Sequence, residues 1–150
     1  MKKNMEEPNN IKFRLLSITN ERTTSIADVP FINEESLKFQ YKTGTIVKLG
    51  ENIITVIPSI RYMDGDTFHF ESSAEFNYSV LSLGDIMVVD KENNKLNVKA
   101  NILPTLIGAA YSSLRGIVYA RTLTTPLEKF PIPIIDINTL MLKNGISVLE

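Results

Sequence analysis

Residues 101–141 read NILPTLIGAAYSSLRGIVYARTLTTPLEKFPIPIIDINTLM, and this stretch decides the fold. Leu103, Leu106, Ile107, Ala110, Tyr111, Leu114, Ile117 and Val118 recur at three and four residues, the spacing of one buried helical stripe. Asn101 is placed to cap the start. Pro104 falls in the first turn, where its missing N–H breaks no intrahelical bond. Small residues lie on and near the stripe (Gly108, Ala109, Ala110, Ser112, Ser113), so another backbone can approach closely. Gly116 costs up to ~1 kcal/mol against alanine in a helix interior, which suggests a packing reason. Arg115 and Arg121 fall off the stripe, and Thr122, Thr124, Thr125 and Pro126 end the helix.

The next segment, Phe130-Pro-Ile-Pro-Ile-Ile, cannot be helical, because prolines 131 and 133 bias their predecessors to extended backbone. It is strongly apolar all the same. One reading is a buried cover over the core. The other is a partly covered wall that binds something. A second, short helix is expected after it.

Upstream the pattern changes to alternation. Residues 11–19 place Ile11, Phe13 and Leu15 on one face. The pattern slips at Leu15-Leu16, so that Ile18 falls on the other parity, and a bulge there would keep both sets on the core. Residues 20–36 read as a loop. Residues 37–49 set Leu37, Phe39 and Tyr41 against Lys38, Gln40 and Lys42, with Gly44 a candidate bulge. Residues 53–63 set Ile54, Val56, Ile60 and Tyr62 on one parity, and Pro58 points to an edge position or a bulge. Asp64-Gly65 is a hairpin signal. The strand after it has Phe68, Phe70, Ala74, Phe76, Tyr78 and Val80 on one face, with His69, Glu71, Ser73, Glu75, Asn77 and Ser79 on the other. Residues 84–100 read as a connection with a short extended piece near 86–89. The final Ile146-Ser-Val-Leu-Glu is apolar enough to dock. Strands grouped before helices predict α+β. The expected architecture is a four-stranded antiparallel sheet, one long helix, an extended crossover and a short C-terminal helix. One sheet face lies under the helix and the polar one meets water.

The chain has 150 residues, 43% of them hydrophobic, enough for one domain with a real core. Residues 1–10 are expected to be a flexible N-terminus and 11–150 a single domain. A net charge of −1 gives no electrostatic argument for nucleic acid. The absence of cysteine excludes disulfides, thiolate nucleophiles and cysteine-based zinc sites. No apolar run approaches the ~20 residues of a membrane span, so stable membrane insertion is not expected. After Met1-Lys-Lys come Glu6 to Asn10 where a signal peptide would be apolar, so a cytoplasmic location is expected.

Chemistry-bearing patterns are sparse. His69, the single histidine, falls on the polar parity and reads as a surface residue. It completes no nucleophile–base–orienter set with any specificity. Asp64-Gly65-Asp66 resembles a fragment of a calcium loop, which the hairpin turn explains fully. Glu71 and Glu75 share one strand face, as solvated carboxylates or as a pair. No Gly-rich phosphate loop occurs. A non-enzymatic binding or holding protein is expected, with no cofactor and no metal.

The element order, the helix ILPTLIGAAYSSLRGIVYA, the Thr-Pro break and the following PLEKFPIPIIDINTLM together resemble the SecB family of protein-export chaperones over residues 11–142. Pro133-Ile-Ile-Asp-Ile-Asn-Thr-Leu-Met is similar to the motif that ends the crossover in that family. The resemblance implies an ATP-independent holdase, built as a homotetramer, that keeps unfolded preproteins for delivery to the motor SecA. It makes Leu127, Phe130, Ile132, Ile134 and Ile135 candidate client-binding residues, with Tyr111, Leu114 and Val118 from the helix. It maps subunit association onto Ala74, Phe76 and Tyr78, for which burial under the chain's own helix is an equal alternative. It maps a SecA-facing surface onto Glu75, with Glu71 beside it. Typical members carry an acidic motif after the first strand. Here that region reads Asn20-Glu-Arg-Thr-Thr-Ser-Ile, with Glu21 alone. The alternative is therefore a SecB-like interaction module for one dedicated partner, such as an antitoxin, without SecA delivery.

Overall fold

The alternating segments pair into one sheet, and the helical stripe lies across it. The structure is a computed structural model describing residues 11–25, 35–90, 92, 95–98, 102–142 and 144–149. Strands β1 (Phe13–Ser25), β2 (Leu37–Lys48), β3 (Ile53–Asp64) and β4 (Thr67–Val80) come first. A one-turn helix α1 (Leu83–Ile86) and a hairpin of β5 (Met87–Asp90) and β6 (Lys95–Val98) follow. Then come the long helix α2 (Ile102–Thr122), a 3-10 turn at Pro126–Lys129, helix α3 (Ile137–Leu142) and a last strand β7 (Asn144–Leu149). The polar N-terminus, the loop through Pro30 and the Asn101 cap lie outside the described residues.

The main sheet has the order β1-β4-β3-β2-β7. The expected four strands pair antiparallel, but β7 adds parallel to β2, so the sheet is five-stranded and mixed. The C-terminal segment was expected only to dock. It pairs because β2 would otherwise be an edge with a row of unpaired backbone groups. Asn144 fixes the register: its Oδ1 accepts from the Thr43 and Thr45 hydroxyls at 3.0 and 2.9 Å. Both threonines are buried, at 4% and 2% exposure. Asn144→Ala strands two buried hydroxyls and is expected to lower stability by about 1–3 kcal/mol in urea unfolding. No measurable loss would mean that β7 is held by its backbone ladder alone.

Local expectations are corrected at four places. First, β1 does not end at residue 19 but runs to Ser25 with two bulges, one at the expected Leu15–Ser17 step and one between Thr19 and Arg22. Asn20, at φ 50°, takes up the second. Second, Pro58 is neither at an edge nor in a bulge. β3 is central, and Pro58 pairs with Thr43 on the β2 side, while the β4 ladder passes from Val56↔Phe76 to Ser59↔Ser73. The missing N–H falls in that gap. Third, Gly44 marks no bulge, since the β2–β3 register runs unbroken through it. Fourth, His69 is not a surface residue. A register shift pairs Tyr62 with Phe70 but Met63 with Phe68, so His69 is the extra residue and leaves its parity. It is buried at 6% exposure, with Nε2 3.8 Å from Asp64 Oδ2. Phe68 leaves the register that Phe70 and its successors follow.

α2 packs on β3 and β4. Its buried residues include Leu103, Leu106, Ile107, Ala110, Tyr111, Leu114 and Val118, with Ile117 half-buried. They meet Ile54, Val56, Ile60, Phe70, Phe76 and Val80, all at 2% exposure or less, in one core. Gly108 has a packing reason, since a Cβ there would lie 2.7 Å from Ile137 Cδ1 of α3. Gly116 has none, with open space where its Cβ would be.

The helix leaves β1 uncovered. Phe13, Leu15 and Ile18 oppose Val80, Tyr78 and Phe76 and so share the helix side of the sheet, as the expected bulge requires. They are nonetheless 41%, 45% and 45% exposed. One ion pair bridges the gap, Arg121 at the end of α2 to Glu21 of β1 at 2.6 Å. The Arg121 hydrogen bond, helped by Thr23, holds the Glu21 carboxyl below its ordinary value.

Candidate functional site

The crossover is positioned from its entry. Thr124 turns the chain at φ 67°, and the Thr125 side chain accepts from the Leu127 N–H at 3.2 Å, capping the 3-10 turn. This drives Leu127 inward, to 7% exposure. From Phe130 to Asp136 the chain is extended beside α2. Pro131 and Pro133 have no N–H to satisfy, so here the carbonyls carry the attachment. Tyr62 donates to the Phe130 carbonyl. The Arg115 Nε donates to the Ile132 carbonyl at 3.3 Å, and the Tyr111 hydroxyl to the Pro133 carbonyl at 3.0 Å. Asp136 then accepts from the Thr139 N–H at the start of α3.

The two tyrosines belong to an aromatic group beneath the crossover. Phe39 stacks on Tyr41 at 5.8 Å between ring centroids and tilts against Tyr62 at 5.7 Å, while Tyr41 meets Tyr111 edge-on at 6.2 Å. Burial pushes the Tyr62 phenol up to about 12. Burial raises Tyr111 too, with the Arg115 charge opposing and Tyr41 and Tyr62 adding to the rise. A pKa raised on folding stabilises the fold fully below the ordinary phenol value of about 10 and stops doing so as pH climbs through the folded value. The crossover is therefore expected to hold through neutral pH and to loosen between about pH 10 and 12, when Tyr62 must ionise. Tyrosinate absorbance should rise together with loss of circular dichroism. Full ionisation near pH 10 with the fold intact would refute this attachment.

Between α2 and the crossover lies a cleft of about 320 Å³, lined among others by Arg115, Val118, Tyr119, Leu127, Phe130 and Ile132. Gly116 also borders it and leaves it open. Tyr119, which lines it, is 62% exposed, and two large apolar side chains close to its lining residues in the chain are exposed as well, Leu123 at 42% and Ile134 at 82%.

The candidate residues separate into groups. Leu127, Phe130, Ile132 and Val118 meet at the cleft. Ile134 stands in solvent beside it, and Ile135 is half-buried against the core. Tyr111 and Leu114 are core residues at 3% and 0% exposure. Ala74, Phe76 and Tyr78 are buried on the helix side of β4, at 1%, 0% and 5%, so their apolar area is already covered by the chain's own core. Glu71 and Glu75 lie on the opposite face. Glu71 accepts from Arg61 at 2.8 Å, and Glu75 accepts from the Thr19 hydroxyl at 3.4 Å. Neither joins His69, whose ionisable neighbour is Asp64. Sequence reasoning missed Arg115, set aside because it is off the stripe, and Tyr119 and Leu123. Their signal was apolar or long side chains on the last turns of α2 and just after it, ahead of the crossover. Among the described residues no helix is long and apolar enough to cross a membrane. No family model matches the chain, and no curated protein matches it.

Proposed function

We propose that the cleft and crossover hold segments of non-native polypeptide, in the manner of a SecB-like holdase. The observation that carries this reading is the open cleft lined by Val118, Tyr119, Leu127, Phe130 and Ile132, with exposed Leu123 and Ile134 close to it in the chain, beside a crossover hydrogen-bonded through its carbonyls. An exposed, rimmed apolar surface of this kind marks an interaction site. An extended groove suits an extended chain. Burial of apolar side chains supplies the affinity, so no ATP and no enzymatic step is required.

The clients would be unfolded preproteins in the cytoplasm or one dedicated protein. Assembly as a homotetramer would use the uncovered face of β1, where Phe13, Leu15 and Ile18 await a cover. One observation favours the dedicated-partner reading over delivery to SecA. The face of the sheet away from α2 carries Arg14, Arg22, Lys38, Lys42, Lys48 and Arg61 against Glu71 and Glu75. An acidic docking surface would need the reverse.

The test is aggregation suppression of a chemically unfolded client without ATP, paired with native mass measurement. Suppression near stoichiometric amounts by an assembly larger than a monomer supports the holdase. A strict monomer that suppresses nothing ends it. Stoichiometric capture of one protein, with model clients ignored, selects the dedicated module.

A further inference from the structure

The sheet face away from α2 contains a built depression that the client-holding reading does not use. Two cross-strand rungs run over it. Lys42 of β2, Ser59 of β3, Ser73 of β4 and Arg22 of β1 are in register along one, and Gln40, Arg61, Glu71 and Thr24 along the next. Gly44, Ser59 and Ser73 make a low floor, with open space over Gly44. Lys42 and Arg22 rise on opposite sides of a trough of about 590 Å³. Strands about 4.8 Å apart put β2 and β1 roughly 14 Å apart, a gap that two long cationic side chains can close over a small ligand.

The second bulge of β1 is what brings Arg22 here. It sets Arg22 opposite Ser73 while Glu21 turns to Arg121 of α2. Arg22 and Lys42 have no ion-pair partner among the described residues, and Ser59 and Ser73 have no side-chain hydrogen bond there. Elsewhere on the same face hydroxyls are satisfied within the sheet. Thr55 donates to Asn77 at 2.7 Å, and Asn77 reaches Ser17 and Thr19 at 3.2 and 3.0 Å. Arg61, outside the trough on the adjoining rung, engages Glu71 and offsets its charge, which leaves the trough's two cations, Arg22 and Lys42, uncompensated in a chain whose total is −1.

We infer that this trough is a binding site for a small phosphate-bearing molecule, a phosphate ester or diphosphate. Cations on two sides and hydroxyl donors beneath match an anion with several acceptor oxygens and about two negative charges. A carboxylate, with two oxygens, would leave part of this donor set idle. A nucleic-acid strand would want stacking surfaces at the trough, and the one apolar side chain lining it, Ile57, is aliphatic.

Calorimetric titration of the full chain with inorganic pyrophosphate tests it. Saturable one-site binding is expected, weakened roughly 10-fold or more by Arg22→Gln and by Lys42→Gln and a few-fold by Ser59→Ala with Ser73→Ala. Lys48→Gln, on the same face but outside the trough, should bind as the parent does. These are surface positions, and an unchanged circular dichroism spectrum secures the comparison. No saturation at millimolar pyrophosphate overturns the proposal. So does an equal loss in Lys48→Gln, which would indicate diffuse attraction, or a single-stranded oligonucleotide binding more tightly than pyrophosphate. None of these results depends on client binding, which the aggregation assay reads separately.

Discussion

Phe76→Ala is expected to lower the unfolding free energy by about 3–5 kcal/mol, out of the 5–15 typical of a domain. Phe76 is fully buried at the centre of β4, between Ile18 of β1 and Val56 of β3 and under α2. Removing its ring loses the transfer free energy and leaves a cavity that neighbours on three sides cannot fill. The same experiment separates core from interface. Urea unfolding at two protein concentrations should give the same loss if Phe76 serves its own core. A loss that grows on dilution would assign it to subunit association, because only an interface responds to mass action.

Phe130→Asp together with Ile134→Asp is expected to abolish client holding while the fold survives. Ile134 is 82% exposed, so its replacement should change stability by less than about 0.5 kcal/mol. Phe130 is half-buried, and its carbonyl still accepts from Tyr62 after the change. Burying an apolar side chain of this size against a client is worth about 1.5–3 kcal/mol. Each replacement should thus weaken client binding roughly 10-fold or more, before the repulsion of two new carboxylates is counted. Retained binding in a variant that unfolds normally would move the client surface elsewhere, with the uncovered face of β1 the next place to look.

What could be read from the sequence was what depends on period. α2 was legible because its stripe repeats over about four turns, and the faces of β2, β3 and most of β4 because alternation there is clean. Breaks in alternation were read at one place, the Leu15-Leu16 slip, where the expected bulge is present, and misread at others. His69 was assigned to water because parity was carried through a bulge that only the β3 pairing reveals. β1 was cut short because residues 20–36 read as a loop, whereas a left-handed residue such as Asn20 can also sit inside a bulged strand. β7 has six residues, and its parallel partner lies about a hundred positions earlier, so nothing local marks it. For the site, proline spacing showed where the crossover is extended. The side chains that hold it come from β3 and α2, which no local pattern connects to it.

The carbonyl-only hydrogen bonding of the crossover makes this segment one-sided. Among the described residues the amides of Ile132, Ile134 and Ile135 find no acceptor, whereas the carbonyls of Phe130, Ile132 and Pro133 are engaged. The segment therefore belongs to no ladder and adds nothing to the cooperativity of the sheet. It can swing away by releasing three side-chain tips and the packing of Ile132 and Ile135, without unpairing a strand, at a free energy below that of global unfolding. In hydrogen exchange it would be a fast island between two slow elements.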